Sequence, residues 1–552
     1  MKQSIDAIKR NAIAELETVG EFSTGIRDID FSETVATVAA PTLVPAAAAH
    51  VFGRKPTGYL RAFGEYRPSD MGNAERFFDL YATEFRYAPH LGWLQYNGGL
   101  WAHTEGFGFE REAVKATIRQ MGDALAIESS VVSALADALT KAVHAQKPMG
   151  QLEMMAEELK EARKELARMR THYDASCSEP KYGACLRTAA SDPLFVVRPD
   201  QLDADDFKLN TKNGVLDLLD GTETPHDPAL LMTRTSSTSI GPIGAQCPEW
   251  LKFLYAVFDD GDDAETLAMI DYMQVVIAYM LSGSTRFEAL FILGGIAGGN
   301  GKSTFLNIVN KLVGTYGGQV DCKTFEYKNA EDNTIPNDLA KTAGTRVTTI
   351  DELPKGYRFN SARVKQYVSG TTPLTARFLN KEFFEWLSKA KLMIATNFLP
   401  VIRDDEALWR RINLIKFNNS FKARPDETLG AKLNAELPAI MRWAQQGITK
   451  LATSGLQMPV RVARDTETYK LSQDDFGGYL SESLELGDGY TVKTSQAWSL
   501  YKAWAEDTKQ YVMSKSTFRR TMTDRGFTVK KKNGDEVFVG IKVASPPDLD
   551  IM

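Results

Sequence analysis

An apolar segment that runs directly into a glycine-rich loop constrains the fold of this chain more than any other feature. Ala289 to Leu293 has the composition of a buried strand, GGIAGGNGKST follows from Gly294 to Thr304, and a helical apolar face begins at Phe305. In this order, backbone N–H groups and the N-terminus of a helix can point at phosphate oxygens. The segment therefore predicts a nucleotide-phosphate site at the end of a strand in an α/β core.

The loop supplies both a cation and a metal ligand. Lys302 adds a positive charge between the β and γ phosphates, and Ser303 offers a hydroxyl to Mg²⁺. The usual spacing places a glycine where this chain has Ile296, so either the loop is one residue longer or Gly298 and Gly299 form the tight turn. A glycine-rich structural turn is the alternative interpretation. The predicted nucleotide-binding residues are Gly298, Gly299, Asn300, Gly301, Lys302, Ser303 and Thr304.

Two further β-favouring segments end in side chains that suit ATP hydrolysis. Arg346 to Ile350 leads into Asp351 and Glu352, and Leu392 to Thr396 leads into Asn397. We expect Asp351 to bind nucleotide and Mg²⁺ together with the loop hydroxyl, and Glu352 to polarise the attacking water. We expect Asn397 to orient that water or to sense the γ phosphate. ATP and Mg²⁺ are the predicted ligands, and the paired acids favour hydrolysis over phosphorylation of a small molecule.

An arginine pair follows in the segment ALWRRINLIKF. An arginine beside the nucleotide can neutralise the charge that develops as the γ phosphate leaves, and in a ring the next subunit supplies it. Arg410 and Arg411 are the candidates. A surface pair on a helix is the alternative interpretation.

As a set, the segments GGNGKST, TTIDE, LTARFLNKEFFEW and KLMIATNFLPVIRDDEALWRRINLIKF resemble the superfamily 3 helicases. The resemblance is specifically to the phage and plasmid primase-helicases that are related to poxvirus ones. It extends over residues 57–543, where NGVLDL followed by CPEW is a familiar run of that family's accessory domain. The departures are Ile296 and the absence of an N-terminal primase domain, which argues against primer synthesis.

The resemblance implies a hexameric AAA+ ring that moves along single-stranded DNA in the 3′ to 5′ direction. It makes Glu352 and Asn397 catalytic residues, and it makes Arg411, in preference to Arg410, the arginine that acts on the neighbouring subunit. In such helicases a β-hairpin ahead of the sensor strand holds DNA phosphates. Residues 375–386 alternate as a hairpin would, and Lys381 is the candidate for its tip. An ordinary exposed turn lysine is the alternative.

The C-terminal residues resemble a small basic domain of winged-helix pattern. Ser495 to Asp507 is helical, Ser516 can cap a second helix that runs to Arg525, and strands flank a turn at Asn533-Gly534. A lysine-rich hairpin that docks on protein is the alternative to a DNA-binding domain. The predicted DNA contacts are Lys515, Arg519 and Arg520 on the second helix and Lys530, Lys531 and Lys532 on the hairpin.

The remaining patterns divide the chain into regions. Hairpins are predicted at Trp93 to His103 and, around Asn213-Gly214, at Lys208 to Gly221. A narrow apolar seam from Leu152 to Met169 predicts a helix that packs on its own domain in preference to an intermolecular coiled coil. The predicted regions are a tail or tether at 1–56, an N-terminal α+β accessory domain at 57–249, a superfamily 3 AAA+ ATPase domain at 250–430, a helical connector at 431–485 and a winged-helix DNA-binding domain at 486–552.

The predicted fold class is therefore a multidomain α/β protein with an AAA+ P-loop core on a mainly parallel sheet. Its net charge of -6 argues against a protein coated with nucleic acid but not against a local basic surface. The stretch from Met269 to Leu281 carries Asp271 and is predicted to be a buried helix, so no membrane partner is expected. The N-terminus lacks the pattern of a secretory signal. We predict a cytoplasmic protein of a bacterial host cell.

Two hypotheses from different classes follow. The first is an ATP-driven ring helicase for the replication of a phage, a plasmid or a related element. Its predicted partners are single-stranded and forked DNA, further copies of itself in a homohexamer, and a separate primase or replication initiator. The second is an ATP-controlled replication initiator or loading factor that binds origin DNA without processive unwinding. A small-molecule kinase is a third and weaker reading, because it gives no reason for the basic terminal domain.

Overall fold

The N-terminal part of the chain combines a helical layer with two small antiparallel sheets. The computed structural model describes residues 58, 65–89, 91–104, 106, 108–295, 298–327, 337–377, 383–402, 405–508, 512–532 and 534–544. The first helices are α1 (Asp70–Tyr81), α2 (Phe109–His144), α3 (Met149–Ser176) and α4 (Glu179–Ala189). The two sheets contain β1 (Phe85–Ala88), β2 (Gly92–Tyr96) and β3 (Trp101–His103), then β4 (Lys208–Thr211), β5 (Gly214–Asp217) and β6 (Glu223–Thr224).

The predicted apolar seam lies on α3 and packs against other helices of the same chain. Leu159 packs with Val131 and Leu135 of α2, and Met169 joins the larger cluster formed by α1, α2 and α4. The two long helices thus form an antiparallel hairpin whose interface is intramolecular. This arrangement confirms the prediction of packing within the domain.

Both predicted hairpins are present, and one has a shifted turn. Tyr96 pairs with Trp101 in the first hairpin. In the second, Thr211 pairs with Gly214, so the turn falls one residue earlier than predicted. Gly214 belongs to the strand, where a Cβ would lie 2.6 Å from the carbonyl oxygen of Thr224. Glycine is required there by the close approach of β6 and not by the turn.

A parallel sheet forms the core of the central part. The strands of this part are β7 (Leu290–Gly294), β8 (Gly317–Gln319), β9 (Val347–Ile350), β10 (Leu374–Ala376), β11 (Phe384–Trp386), β12 (Lys391–Thr396) and β13 (Ile412–Lys416). The helices are α5 (Pro248–Phe258), α6 (Asp263–Leu281), α7 (Lys302–Val313), α8 (Asn337–Lys341), α9 (Ser361–Ser369) and α10 (Glu406–Trp409). Five strands pair in parallel in the order β13, β7, β12, β9, β8, while β10 and β11 form a separate hairpin. All five strands therefore present their carboxyl ends at one edge.

Apolar layers cover both faces of the sheet, as burial of a parallel sheet requires. Leu290 and Ile292 of β7 point into one hydrophobic cluster, and Phe291 and Leu293 point into the other. Helix α6 belongs to the second cluster. By length and composition it is apolar enough to cross a membrane, but 67% of that window is buried inside the protein. The predicted buried helix is confirmed, with Asp271 on its exposed side.

A buried arginine joins the central sheet to the N-terminal part. The guanidinium of Arg346, which precedes β9, donates to the carbonyl oxygens of Leu281 at 2.6 Å and Lys208 at 2.7 Å. The guanidinium carbon (Cζ) of Arg346 lies 4.3 Å from the ring centre of Tyr316. Because buried carbonyls left without a donor are costly, this residue anchors β4 to the amino edge of the sheet.

The C-terminal part begins with three helices and ends in a small mixed domain. Its elements are α11 (Leu429–Ala435), α12 (Leu437–Ser454), α13 (Val460–Ser472), α14 (Asp475–Ser483), β14 (Leu484–Lys493), α15 (Thr494–Asp507), α16 (Lys515–Asp524), β15 (Val529–Lys532) and β16 (Asp535–Val543). The three strands pair in the order β14, β16, β15 around a core that contains Tyr501, Phe518 and Phe538. The predicted helices and hairpin are present, and α14 falls within the predicted helical connector, whereas β14 is not evident from the sequence.

The cap of α16 differs from the prediction. Ser514, not Ser516, is the N-cap, because its backbone is extended and its hydroxyl accepts from the backbone N–H of Thr517 at 3.2 Å. Gly526 follows the helix with φ at +93°, as predicted. The basic side chains of α16 therefore begin at its first turn.

Candidate nucleotide site

The glycine loop joins the carboxyl end of β7 to the N-terminus of α7. The strand ends at Gly294 and the helix begins at Lys302. Gly299 and Gly301 adopt φ values of +71° and +89°, which side chains other than glycine rarely accept. The tight turn therefore falls on these two glycines. Ile296, where the spacing departs from the usual pattern, lies outside the described residues.

Lys302 lies at the centre of a polar network. Its ammonium donates to the carbonyl oxygen of Gly295 at 2.9 Å and to the Oδ1 of Asn397 at 2.9 Å. It also donates to the Oδ1 of Asn300 at 3.2 Å. Burial lowers the pKa of Lys302 from its usual value, while the carboxylate of Glu352 acts in the opposite direction. The network holds this cation at the edge of the sheet, facing the loop.

Asn397 connects Lys302 to Glu352, the predicted catalytic base. Glu352 accepts from the backbone N–H of Asn397 at 3.2 Å and from its side-chain amide at 3.2 Å. The carbonyl oxygen of the same amide accepts from Lys302. These bonds determine which way the amide points. The structure thus brings together Lys302, Asn397 and Glu352, which follow β7, β12 and β9 in the sequence.

Asp351 has a partner that the sequence analysis missed. The amide of Gln319, at the end of β8, donates to its carboxylate at 2.5 Å. Ser303 and Asp351 are both exposed at the carboxyl edge, where each offers an oxygen ligand. Mg²⁺ prefers such ligands and commonly takes few from protein when a nucleotide supplies the rest. The residues present therefore fit Mg²⁺, and no signal in the short segment GGQ indicated the role of Gln319.

Asn300 supports the loop through its side chain. It is 4% exposed, and its amide donates to the carbonyl oxygen of Phe417, just after β13, at 3.1 Å. A Cβ on Gly295 would lie 2.3 Å from this amide nitrogen, so only glycine leaves room for it. Asn300 therefore holds the described part of the loop against the end of β13.

The two arginines differ in exposure, and the exposed one is not the residue that the sequence analysis preferred. Arg411 is 8% exposed, pairs with Glu288 and donates to the carbonyl oxygen of Ala407. It precedes β13, whose first residue pairs with Leu290, so it lies at the edge of the sheet opposite the glycine loop. A buried, ion-paired side chain is unsuited to reach into a neighbouring subunit. Arg410 is the exposed member of the pair.

The predicted DNA contacts are mostly exposed. Lys381 lies outside the described residues, between the described strands β10 and β11. Arg519 is bound to Glu536 of β16 by two bonds of 2.7 and 3.1 Å, so its charge is neutralised within the domain. The exposed residues without a carboxylate partner within the described part of the chain are Lys515, Arg520, Lys530, Lys531 and Lys532.

A cleft of about 440 Å³ adjoins the glycine loop, and no pattern in the sequence predicts it. Phe253 of α5 lines one side, and Phe421 and Lys422 line the other. Gly301 and Thr304 form the end nearest the loop. The lining is largely apolar, which suits a flat ring such as a nucleotide base.

Comparisons with known proteins find matches over the N-terminal and central parts of the chain. A family model described as "D5 N terminal like" matches residues 74–259, and one described as "Family of unknown function (DUF5906)" matches residues 293–411. The protein named "Putative helicase L207/L206" of Acanthamoeba polyphaga mimivirus is 26% identical over 340 residues. These matches support a relationship to the phage and viral primase-helicases. The second family model contains the whole glycine loop together with Asp351 and Glu352.

The matched relatives are much longer than this chain. The match covers 57% of this chain and 34% of the mimivirus protein. "Putative helicase 184R" of Invertebrate iridescent virus 6 is 22% identical over 329 residues, which cover 52% of this chain and 31% of that protein. The chain thus spans about a third of these relatives. The A form apo structure of the NrS-1 C-terminal region aligns at a TM-score of 0.36 and 14% identity over 56% of this chain and 79% of that one.

Proposed function

We propose that this protein is an ATP-driven DNA helicase that acts as a ring in the replication of a phage, a virus or a related element. The observation that carries the proposal is the contact chain from Lys302 through Asn397 to Glu352 beside the glycine loop. A cation, an oriented amide and a carboxylate at the ends of neighbouring strands are the parts that phosphoryl transfer to water needs.

Each residue of the site then has a chemical role. Lys302 neutralises the β and γ phosphates, and the backbone N–H groups of the loop bind their oxygens. Ser303 and Asp351 would hold Mg²⁺, which supplies Lewis-acid stabilisation of the phosphate charge when bound. Glu352 accepts a proton from the attacking water, and Asn397 keeps that carboxylate in place and senses the γ phosphate.

The exposed Arg410 favours a site shared between chains. It lies at the amino edge of the sheet, away from the loop of its own chain. A head-to-tail interface in a closed ring brings such a surface to the loop of the next copy. We therefore propose Arg410, in place of Arg411, as the arginine that acts across the interface. A hexamer and 3′ to 5′ movement on single-stranded DNA belong to the same proposal.

The C-terminal domain supports contact with DNA. A helix, a strand, two helices and a two-stranded hairpin follow in that order, and this order supports the proposal of a winged helix. Exposed basic side chains lie on α16 and on β15. The hairpin of β10 and β11 provides a second proposed contact through Lys381. These basic surfaces also support the second candidate, an initiator or loading factor that binds origin DNA and uses ATP to control assembly.

Strand displacement distinguishes the two candidates. We expect single-stranded DNA to stimulate ATP hydrolysis and the protein to separate a forked duplex in an ATP-dependent reaction. The assay uses a fluorescently labelled fork with ATP and Mg²⁺, and heat-denatured fork as the reference. ATP-dependent binding of duplex DNA without strand separation would support the initiator and contradict the helicase.

Replacing Glu352 by glutamine is expected to preserve ATP binding and to prevent ATP hydrolysis. The substitution keeps an oxygen that can accept from Asn397 and removes the base, so hydrolysis should fall by about 10²- to 10⁴-fold. Phosphate release and ATP binding are measured on the same preparation. Glu326→Gln, a carboxylate on the same domain and away from the loop, is the control. Hydrolysis at the unmodified rate would remove Glu352 from the mechanism.

The lysines of β15 are expected to bind DNA phosphates. Replacing Lys530, Lys531 and Lys532 together by alanine should weaken DNA binding and reduce the slope of its logarithmic salt dependence by about 3 units. Arg519→Ala should change the slope by much less, because Glu536 already neutralises that charge. Fluorescence anisotropy over a salt series measures both. An unchanged slope in the triple variant would indicate that the hairpin docks on protein.

A further inference from the structure

A second lysine, Lys422, lies against the glycine loop at Gly298 and Gly299. We propose that Lys422 is a same-chain phosphate-binding residue that holds the part of the nucleotide between the loop and the apolar cleft. The inference rests on the proposed function, since it assumes that the loop binds a nucleotide. It adds a residue that follows β13 and lies outside the glycine-loop, acid and sensor segments that the sequence analysis singled out.

The segment that carries Lys422 is tied to both walls of the site. After β13, the side-chain amide of Asn419 donates to the carbonyl oxygens of Ala256 at 2.9 Å and Asp259 at 2.7 Å, at the end of α5. The backbone N–H of Phe421 donates to the carbonyl oxygen of Gly299 at 2.9 Å. The segment therefore has a defined position against the loop and against the helix that lines the cleft.

The side chain of Lys422 lies along the glycine turn. A Cβ built on Gly298 would be 3.2 Å from its Nζ, and one built on Gly299 would be 2.8 Å from its Cγ. The residue is exposed, and no carboxylate in the described part of the chain lies within ion-pair distance of it. Glycine at both positions thus makes room for this side chain as well as for phosphate. An ammonium group held there without a counter-ion is suited to a phosphate oxygen.

The cleft determines which part of a nucleotide would meet Lys422. This lysine lines the cleft together with Phe253 and Phe421, and it also borders the loop. A nucleotide with its base in the cleft and its terminal phosphates at Lys302 must pass Lys422 with the phosphates nearest the ribose. Lys302 contacts Asn397, which in turn contacts Glu352, where the transferred phosphate is expected. The geometry therefore assigns Lys422 to the phosphates that remain on ADP.

This assignment makes a distinctive prediction about affinity. Lys422→Ala should weaken the binding of ADP and of a non-hydrolysable ATP analogue equally, each by about tenfold, since both keep these phosphates. The KM for ATP should rise while kcat stays nearly constant, because the contact is the same before and during phosphate transfer. Lys422→Arg should retain most of the affinity.

Isothermal titration calorimetry of the full chain with Mg-ADP and with the Mg-bound analogue tests the inference. Lys311→Ala is the matched control, because this exposed lysine donates to Asn434 and lines neither the cleft nor the glycine turn. Equal weakening of both ligands by Lys422→Ala, with Lys311→Ala near the unmodified protein, supports the proposal. Thermal unfolding of each variant confirms that the fold is unchanged.

Four results would overturn it in different ways. If the unmodified chain binds nucleotide and Lys422→Ala binds it equally well, Lys422 has no role while the proposed function stands. If only the ATP analogue is weakened, or if Lys311→Ala gives the same loss, the assignment to the inner phosphates is wrong. If the unmodified chain binds neither ligand, the proposed function fails together with the inference.

Discussion

Replacing Lys302 by alanine is expected to reduce ATP hydrolysis by at least about 10²- to 10³-fold, the cost of losing one oriented donor to developing charge. The loss should be larger than from any other single residue of the loop, because the same ammonium also holds Asn397. Without it, the amide that positions Glu352 loses a partner. Both the charge and the alignment of the base are therefore removed by one substitution.

Steady-state phosphate release and nucleotide titration measure this effect. Lys311→Ala is a suitable control, because this exposed lysine lies on the same helix and donates to Asn434 away from the loop. The control should keep the hydrolysis rate of the unmodified protein. Normal turnover by Lys302→Ala would show that the glycine loop is a structural turn and would remove the proposed nucleotide site.

Arg410→Ala is expected to lower hydrolysis by about 10³- to 10⁵-fold, as the loss of an arginine supplied across an interface does in other nucleotidases. Mixing this variant with Lys302→Ala gives the decisive measurement. In a mixed assembly, some sites combine Lys302 of one chain with Arg410 of the next, so activity should exceed that of either variant alone. No gain on mixing, in assemblies shown to exchange subunits, would contradict a shared site.

Arg411→Ala should act through stability instead. Its loss leaves Glu288, which is partly exposed, without its cation, and removes a donor to the carbonyl oxygen of Ala407. We expect a loss of about 2 kcal/mol in the free energy of unfolding, seen as a lower midpoint of thermal unfolding. A folded Arg411→Ala protein of normal stability with no hydrolysis, beside an active Arg410→Ala, would restore Arg411 as the trans-acting residue.

Much of the candidate site follows from local sequence. The apolar run of β7, the glycines and the start of α7 are adjacent in the chain, so their order alone predicts a phosphate cradle. Asp351, Glu352 and Asn397 each come directly after a β-favouring segment. Because parallel strands end at one edge, their meeting beside the loop could be expected before the structure was known. The hairpins of the accessory and terminal regions are likewise predicted from short turn signals.

Tertiary structure determines which side chains are available to contact a nucleotide, DNA or another chain. Arg411 and Arg410 are neighbours in sequence, and burial against Glu288, 123 residues away, is what separates them. Arg519 loses its free charge to Glu536, Asp351 gains Gln319, and Lys422 reaches the glycine turn from beyond β13. The amino-acid sequence alone determines the type and order of the chemical groups. Their exposure and pairing depend on packing between distant segments, because a charge is buried or neutralised only by what the fold places beside it.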